Sequence, residues 1–428
     1  METYKNILKV TSLFGTVYGL KIVLNIVRTK IAALLLGPTG IGLNSIYNET
    51  RELLHTTTNL GLDVSGIRGI SRRYEEWRNA QEESEKTQIK AQMEGEISLL
   101  RSWVLLLALV GTLVCMLLAE PLSYFPLHDY DHVWAYVMLA PAVGLSTIVC
   151  GEMTILKATR RIALVAALSV FFVILAIIIS LPLYYCWGMD GIIPALILLC
   201  LGEAVLVIAV SYRRYRPRFS FSRKDLRSGI PALQLGIAFA LSGMFTHGTQ
   251  LAIKSFFGDP AITGLYSAGY TTMATVGSIV FASLDSDFYP RLAGIFSNIN
   301  ERRTTVFRQI RVAFSMILVV ALFVIFFLPY LIPILYSDDF SPIVPMTQIA
   351  MVSLMFRAFY LPFSILNLAA GASRLYLILE IVSNAIIIAC VLPAYHWFGL
   401  TGIGLGILVA QIIDTIISFI VAKVKYGI

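Results

Sequence analysis

The first two long apolar segments of this chain contain basic and amide side chains at helical spacing. These side chains are Lys21, Asn25 and Arg28 in the first segment and Asn44, Asn48, Arg51 and His55 in the second. Intervals of three and four residues place each set on one face of a helix. Because a basic group at bilayer depth costs several kcal/mol unless it is compensated, the two stripes predict a polar cavity that holds an anion within a membrane.

Arginine and lysine are the side chains best suited to recognise phosphate oxygens. A guanidinium group contacts phosphate in a bidentate manner, and an ammonium group supplies a mobile point charge. A pyrophosphate group suits such a site, and we predict that it is bound by Lys21, Asn25, Arg28, Asn48 and Arg51. The alternative is that acidic residues of the second segment neutralise these bases, and the two interpretations can coexist. Those acidic residues are Glu49 and Glu52.

The second half of the chain is far less basic at comparable positions. His247, Gln250 and Lys254 form a thinner polar stripe, and Arg357 is the other base placed deep in an apolar segment. We therefore predict that the N-terminal half binds most of the anion. Arg357 and polar groups of the C-terminal half would complete the binding site.

Acidic side chains within the apolar segments are candidates for ion coupling or gating. They are Glu49, Glu52, Glu203 and Asp414, together with Glu152 and Glu380. A membrane carboxylate can bind H⁺ or Na⁺ and so couple transport to an ion gradient. A structural role as a hydrogen-bonding group is the alternative for each one. Asp63 and Asp285 occupy equivalent places near helix ends, where we predict gating or structure rather than substrate contact.

Patterns typical of catalysis, metal binding or nucleotide binding do not stand out in the sequence. Residues 37–42, GPTGIG, contain the glycines of a phosphate-binding loop but not its lysine or its strand-to-helix context, so they indicate a tight turn. We expect no catalytic residue, no metal ligand, no cofactor and no ATP hydrolysis.

The composition is that of an integral membrane protein. Of the 428 residues, 57% are hydrophobic and 14% are charged, whereas soluble domains contain about 25% charged residues. The start of the chain does not resemble a cleavable signal peptide. Although the net charge is +7, the placement of the basic residues argues against a nucleic-acid partner.

Hydropathy predicts an all-α membrane protein with twelve transmembrane helices, each long enough to cross about 30 Å of hydrocarbon. The predicted spans are 11–36, 41–66, 99–119, 133–156, 162–183, 191–211, 229–257, 262–288, 312–335, 343–370, 375–395 and 399–422. The loops after spans 2, 4, 6 and 8 contain most of the arginines and lysines. This bias predicts that both termini are cytoplasmic.

Short motifs recur in the same order in the two halves. Gly42-Leu43-Asn44-Ser45 matches Gly264-Leu265-Tyr266-Ser267 at an offset of 222, and Gly188-Met189-Asp190-Gly191-Ile192 matches Gly399-Leu400-Thr401-Gly402-Ile403 at an offset of 211. The second offset also pairs Glu203 with Asp414. We predict two parallel six-helix lobes, residues 1–211 and 229–428, joined by a basic cytoplasmic linker at 212–228 and enclosing a central cavity.

The beginning of the chain resembles a known family of transporters. A first span with an intramembrane lysine, followed by LLLGPTGIGLNSIYNETRELLHTTTNLGLDVSGIRGISRRY, is similar to the start of Wzx-type polysaccharide-lipid flippases. These belong to the MOP superfamily, which also holds the MATE exporters and the MviN-like lipid II flippase. The local resemblance covers residues 11–73.

The resemblance implies transport of undecaprenyl-pyrophosphate-linked oligosaccharide, such as an O-antigen, capsule or exopolysaccharide unit, across the bacterial inner membrane by alternating access. Lys21, Arg28 and Arg51 occupy the places of the family's early-helix bases. It also implies a monomer, no enzymatic activity, coupling to H⁺ or Na⁺, and polysaccharide assembly enzymes as further partners. The alternatives are a MATE-like organic-cation antiporter, which calls for an acidic cavity, and a membrane glycan polymerase or ligase, which calls for a large outer loop.

Overall fold

The described part of the computed structural model is helical throughout. The backbone is described for residues 2–296 and 298–428, and side chains from residue 19 onward except 282–283, 285–287, 289–291, 293–294, 297 and 373. The helices are α1 Glu2–Thr58, α2 Leu62–Asn79, α3 Glu83–Leu117, α4 Ala119–Leu127, α5 Val133–Ala158, α6 Ile162–Trp187, α7 Ile192–Arg214, α8 Arg223–Phe257, α9 Pro260–Gly294, α10 Ile299–Leu335, α11 Ile343–Ala369 and α12 Ser373–Tyr426.

Two of these helices contain a chain reversal at a glycine. Gly37 in α1 has φ 61° and ψ −173°, and Gly399 in α12 has φ 59° and ψ −143°. A residue with a Cβ is strained at such a positive φ, whereas glycine adopts it readily. Pro38 follows the first of these turns, where a fixed φ and a missing N–H suit the first turn of the next helix. The predicted turn thus lies at Gly37, whereas residues 38–42 already belong to the next helix.

The repeated motif at an offset of 211 has the same backbone shape in both copies. Gly188, between α6 and α7, has φ 56° and is the counterpart of Gly399. Three residues later, a Cβ on either Gly191 or Gly402 would overlap a carbonyl group of the preceding helix. Both copies thus need glycine at the turn and again where the returning helix packs against the preceding one.

Seven helices in the described residues are long and apolar enough to cross a membrane. Two of the seven are stretches of 53 residues: Ile162–Arg214, which comprises α6 and α7, and Arg374–Tyr426, which is most of α12. Either stretch would extend about 80 Å if straight. Each reverses at its glycine and so provides two crossings. The structure therefore establishes an all-helical, multi-pass membrane protein. It does not fully confirm the count of twelve, because α1 and α9 are not among the seven.

The chain forms two compact units. One contains the chain up to Leu36 together with Tyr47–His247, and the other contains Gly37–Ile46 together with Gly248–Ile428. We call them unit 1 and unit 2. The predicted lobes at 1–211 and 229–428, with a linker at 212–228, are defined by the sequence repeat and stay a prediction.

Each unit has its own apolar core. In unit 1, α2, α3 and α5 pack through Ile70, Ile97, Leu100, Val104 and Ile155. In unit 2, the core of α9, α10 and α11 contains Met273, Val280, Ile317, Met351 and Leu354. These cores position the polar side chains described below.

Unit 2 brings the two copies of the other repeated motif into contact. A Cβ on Gly42 would overlap the carbonyl oxygen of Pro260, and a Cβ on Gly264 would overlap that of Pro38. One turn further along, Ser45 Oγ and Ser267 Oγ are 2.8 Å apart. The two glycines allow the two helix starts to approach at backbone distance, and the serine pair closes the contact.

Candidate functional site

A polar column follows one face of α1 beyond Gly37. It consists of Tyr47, Arg51, His55 and Asn59, which are four residues apart and therefore on one helix face. These side chains contact α5 or the residue just before it: Tyr47 Oη lies 2.7 Å from His132 Nδ1, and His55 Nδ1 lies 3.1 Å from Thr147 Oγ1. The column therefore joins α1 to α5 through polar contacts within unit 1.

Arg51 is the central charge of this column. Its side chain is 16% exposed and its Nη2 lies 2.5 Å from Glu52 Oε1. Its Nη1 donates to Ser146 Oγ at 2.5 Å and lies 3.9 Å from Cys200 Sγ. The guanidinium is thus held from two sides, and its Nε is left without an acceptor among the described residues.

A second guanidinium and a second carboxylate lie near Arg51. Glu203 on α7 is close enough to Arg28, Arg51 and Glu52 for all three charges to act on it. Arg28 also acts electrostatically on Tyr184 of α6 and forms no ion pair within the described residues. The structure therefore brings Arg28 and Arg51 into one cluster with two acids. The sequence analysis anticipated Glu52 as a partner, but not the place of Glu203.

The remaining predicted groups of the first helix lie alongside this cluster. Lys21 and Asn25 are half-buried and precede Arg28 by two turns and one turn on α1, and Asn48 is half-buried one turn before Glu52. Glu49 accepts from His247 of α8 at 2.7 Å between Oε1 and Nδ1. Glu52 thus pairs with a base of the first two segments, as one alternative predicted, whereas Glu49 contacts a histidine of α8 instead.

Unit 2 contains its own charged cluster. Arg357 on α11 is exposed and lines a cavity of about 290 Å³ together with Tyr270, Met273 and Phe281. Asp414 on α12 is hydrogen-bonded to Ser383 and lies within electrostatic range of Arg357 and Glu380. In unit 2, a base on α11 and a carboxylate on α12 are therefore close to each other. Unit 1 likewise has bases and carboxylates close together.

The structure describes the side chain of one of the two aspartates predicted near helix ends. Asp63 lies in the first turn of α2, where a carboxylate is favoured by the helix dipole, and its Oδ1 lies 3.4 Å from Asn59 Nδ2. These contacts fit a structural role. The side chain of Asp285 lies outside the described residues.

The most deeply buried ion pair among the described residues was not anticipated. Arg101 and Glu152 are 3% and 4% exposed, with Nε–Oε1 at 2.7 Å and Nη2–Oε2 at 3.0 Å. Ser211 donates to the same Glu152 carboxylate. The sequence signal was present, because Arg101 lies near the start of span 3 and Glu152 near the end of span 4, at the same predicted membrane face.

Across the residues that the structure describes, no group of three or more His, Cys, Asp or Glu side chains is arranged to hold a metal ion. The charged groups of the two clusters are guanidinium groups and carboxylates.

Solved structures with this fold are membrane transporters. An inward-facing multidrug resistance MATE family transporter of the MOP superfamily aligns with a TM-score of 0.69 and 15% identity, over 96% of this chain and 94% of its own. A MOP superfamily transporter from Pyrococcus furiosus, whose binding pocket has a reverse polarity that suggests a different function, aligns with a TM-score of 0.65 and 15% identity, over 97% and 93% of the two chains. A variant of the Vibrio cholerae MATE transporter VcmN gives a TM-score of 0.64 and 18% identity, over 97% and 98%.

At these identities the structural similarity establishes the fold. No curated protein is similar enough in sequence to count as a match. The sequence profile of a family described as "Polysaccharide biosynthesis protein" matches residues 5–296, which is more than half of the chain. The chain therefore belongs to the polysaccharide biosynthesis protein family and has the fold of the transporters of the MOP superfamily.

Proposed function

We propose that this protein is a Wzx-type flippase, which moves an undecaprenyl-pyrophosphate-linked oligosaccharide across the bacterial inner membrane by alternating access. The observation that supports this most is the clustering of Arg28 and Arg51 inside unit 1 of a member of a polysaccharide biosynthesis family. Two guanidiniums in a protein interior suit the two phosphates of a pyrophosphate, because each can make charge-assisted bidentate contacts.

This substrate also requires a protein in order to cross the membrane. A pyrophosphate and a hydrophilic glycan cannot enter hydrocarbon without a large desolvation cost, whereas the polyprenyl tail can remain in lipid. The site of this chain supplies positive charge for the phosphates, with Lys21 and Asn25 on the same helix as Arg28. In this proposal Arg357 and its cavity in unit 2 bind another part of the headgroup.

Ion coupling follows from the pairing of Arg51 with acids. The substrate phosphates and the Glu52 and Glu203 carboxylates compete for the same two guanidiniums. Binding of H⁺ or Na⁺ to Glu203 weakens its hold on Arg28 and Arg51 and so favours the anionic substrate. The occupancy of Glu203 by the ion would thus change the affinity of the site for the substrate. Asp414 beside Arg357 could serve the same purpose in unit 2.

A MATE-like exporter of organic cations is the second candidate, since the fold is shared with such transporters. Such an exporter calls for net negative charge at its site, whereas Arg28 and Arg51 here balance Glu52 and Glu203 before Lys21 is counted. The relative with a reverse pocket polarity shows that this fold accommodates a changed charge. A glycan polymerase or ligase lacks support in the transporter fold.

The proposal carries further expectations. The protein acts as a monomer in the inner membrane with both termini in the cytoplasm, and polysaccharide assembly enzymes work beside it. It needs no cofactor other than the coupling ion.

The experiment that tests the proposal compares two substrate classes in one preparation. Purified protein in proteoliposomes is given a fluorescent polyprenyl-pyrophosphate oligosaccharide or an organic-cation dye, under imposed pH and Na⁺ gradients. We expect protein-dependent movement of the lipid-linked glycan and none of the dye. Dye transport without glycan transport would establish the exporter function in its place.

A further inference from the structure

A cavity lies in unit 1, away from the Arg28 and Arg51 cluster. It has a volume of about 600 Å³ and is lined by residues of α2, α3, α6 and α7, by Arg161 just before α6 and by Tyr215 just after α7. We call it the α2–α7 pocket. Since α5 ends at Ala158 and α6 begins at Ile162, the pocket lies where membrane-spanning helices begin and end. It is on the face that the sequence predicts to be cytoplasmic.

The lining of this pocket is basic and aromatic. Its charged residues are Lys90, Arg161, Arg213 and Arg214. None of the residues that line it, all of them within the described chain, is acidic. Tyr74 and Trp77 contribute aromatic surface and contact each other with ring centroids 5.8 Å apart.

The nearby acids are already paired with other bases. Glu75 pairs with Arg160 at 2.7 Å, Glu94 with Arg218 at 3.1 Å, and a third acid on α3 pairs with a base on α2. By contrast, the four lining bases form no ion pair with any residue that the structure describes. The positive charge of the pocket is therefore not balanced from within unit 1.

Buried contacts hold the walls of the pocket in place. Arg101, itself fixed by Glu152, donates from Nη1 to the carbonyl oxygens of Tyr215 at 3.1 Å and Arg216 at 3.0 Å, and so fixes the end of α7. Ser71 Oγ donates to the carbonyl oxygen of Ala158 at 3.1 Å and ties α2 to the end of α5. A site built on satisfied contacts of this kind keeps its geometry when a ligand is bound.

The pocket combines this charge with an apolar wall. Leu164 belongs to the first turn of α6 and Val210 to the last turns of α7, and both contribute to the packing of these helices. A ligand that matches both the basic side chains and the apolar wall has an anionic group and a hydrocarbon chain. Basic pockets between membrane helices near the cytoplasmic surface bind anionic lipid headgroups by this combination.

We propose that the α2–α7 pocket binds the phosphate headgroup of an anionic phospholipid, with an acyl chain against Leu164 and Val210. This inference is independent of the proposed transport function. A soluble phosphate compound shares the headgroup chemistry but lacks the chain, and the experiment separates the two sources.

The test is native mass spectrometry of the intact purified protein, titrated with phosphatidylglycerol, with phosphatidylcholine of the same chains, or with soluble glycerol 1-phosphate. The pocket variant is Arg161→Gln/Arg214→Gln, at two exposed side chains. The control, Arg68→Gln/Arg223→Gln, removes two exposed bases of the same predicted face outside the pocket. Leu164→Trp fills the apolar wall without changing the charge.

We expect phosphatidylglycerol to bind the wild type more tightly than phosphatidylcholine, and the pocket variant to lose at least about tenfold in affinity. The control should stay within about twofold, and Leu164→Trp should also bind weakly. Equal losses in the pocket and control variants would overturn the proposal in favour of diffuse surface charge. Binding of glycerol 1-phosphate as tightly as phosphatidylglycerol would overturn the lipid assignment and identify a soluble ligand.

Discussion

In the proposed function, Arg51 combines a structural role with binding of the substrate anion. Its contacts with Glu52 and Ser146 stabilise a charge that would otherwise be costly inside a membrane protein. Its unpaired Nε and the neighbouring Arg28 provide donors for an anion. A guanidinium has five N–H donors, so internal pairing and substrate binding are compatible on the same side chain. The balance between them is what a coupling ion can shift.

Removing either guanidinium should weaken binding of the pyrophosphate group. For Arg28→Ala and for Arg51→Ala we expect affinity for a polyprenyl-pyrophosphate to fall about ten- to a hundredfold, because each variant loses charge-assisted contacts worth about 1.5–3 kcal/mol. Tryptophan fluorescence titration of the purified protein measures this. Arg72→Ala, at an exposed base on α2, is the control and should bind normally. Unchanged affinity in both site variants would place the phosphates elsewhere.

Glu203 should connect transport to the ion gradient. Glu203→Gln mimics the uncharged carboxyl group and leaves Arg28 and Arg51 without one of their competing acids. We expect this variant to bind substrate at least as well as the wild type but to lose its response to an imposed pH or Na⁺ gradient. The measurement compares the flipping rates of the variant and the wild type in proteoliposomes with and without the gradient.

Glu380→Gln, at a carboxylate of unit 2, is the matched control for this measurement. A Glu203→Gln protein that still follows the gradient as the wild type does would remove Glu203 from the coupling mechanism.

Part of the polar column of unit 1 was predictable from the sequence. Helical spacing placed Arg51 and His55 on one face of α1, because local periodicity depends only on neighbouring residues, whereas the other members of the column, Tyr47 and Asn59, were not predicted. It could not place Glu203 or Ser146 beside Arg51, since those contacts depend on how α5 and α7 pack against α1. The choice between Glu49 and Glu52 as partner for a given base likewise required the tertiary structure.

At the scale of helices, the contact between residues 42–45 and residues 264–267, the two copies of the motif at an offset of 222, is the clearest candidate for a contact that changes during transport. Its polar contacts include the hydrogen bond between Ser45 and Ser267, and its backbone contact depends on Gly42 and Gly264. Glycine and serine present little side-chain surface at such a contact, so its separation exposes little apolar area. In an alternating-access cycle, we propose that it opens and closes.

Cross-linking tests whether this contact must open. In the double variant Ser45→Cys/Ser267→Cys, the short distance between the two Oγ atoms favours a disulfide under mild oxidation. We expect oxidation to stop flipping and a reducing agent to restore it. Each single variant, treated with the same oxidant, should remain active. Full activity of the cross-linked double variant would show that these helix starts stay together throughout transport.

The buried pair between α3 and α5 should contribute to stability more than to transport chemistry. Arg101→Ala leaves the Glu152 carboxylate buried without its partner, which typically costs about 3–5 kcal/mol. We expect a clearly lower thermal unfolding temperature in detergent, measured with a thiol-reactive dye or by light scattering.

The double variant Arg101→Met/Glu152→Met removes both charges and should recover much of that loss, since an apolar pair of similar size avoids the unpaired charge. If Arg101→Ala unfolds at the wild-type temperature, the pair is not a main support of unit 1.

The helices themselves were largely predictable, because long apolar segments separated by glycine, proline and charged loops have few alternatives in a membrane. The repeat at Gly188 and Gly399 was visible in the sequence, and the structure shows its cause in their positive φ angles. Two features required the fold. The pair of Arg101 and Glu152 joins separate helices, and the contact of Gly42 with Gly264 depends on where two chain reversals meet.

For the whole molecule, composition predicted a membrane protein, and the early motif predicted a polysaccharide-lipid transporter family. The chain belongs to the polysaccharide biosynthesis protein family, and its helices have the fold of the MOP superfamily transporters. The direction of the termini, the number of spans and the division into lobes stay predictions. The identity of the glycan leaves no signature in either sequence or structure, because sugar hydroxyls can be bound by many arrangements of polar side chains.

The most direct test of the account is leaflet-resolved flipping of one defined polyprenyl-pyrophosphate oligosaccharide in proteoliposomes, for the wild type and for Arg28→Ala/Arg51→Ala. An Arg68→Gln/Arg72→Gln protein, altered at two bases of α2 outside the site, controls for lost charge. The account predicts protein-dependent flipping in the wild type and the control, and its loss in the site variant despite normal folding and insertion. Equal flipping by all three proteins would contradict it.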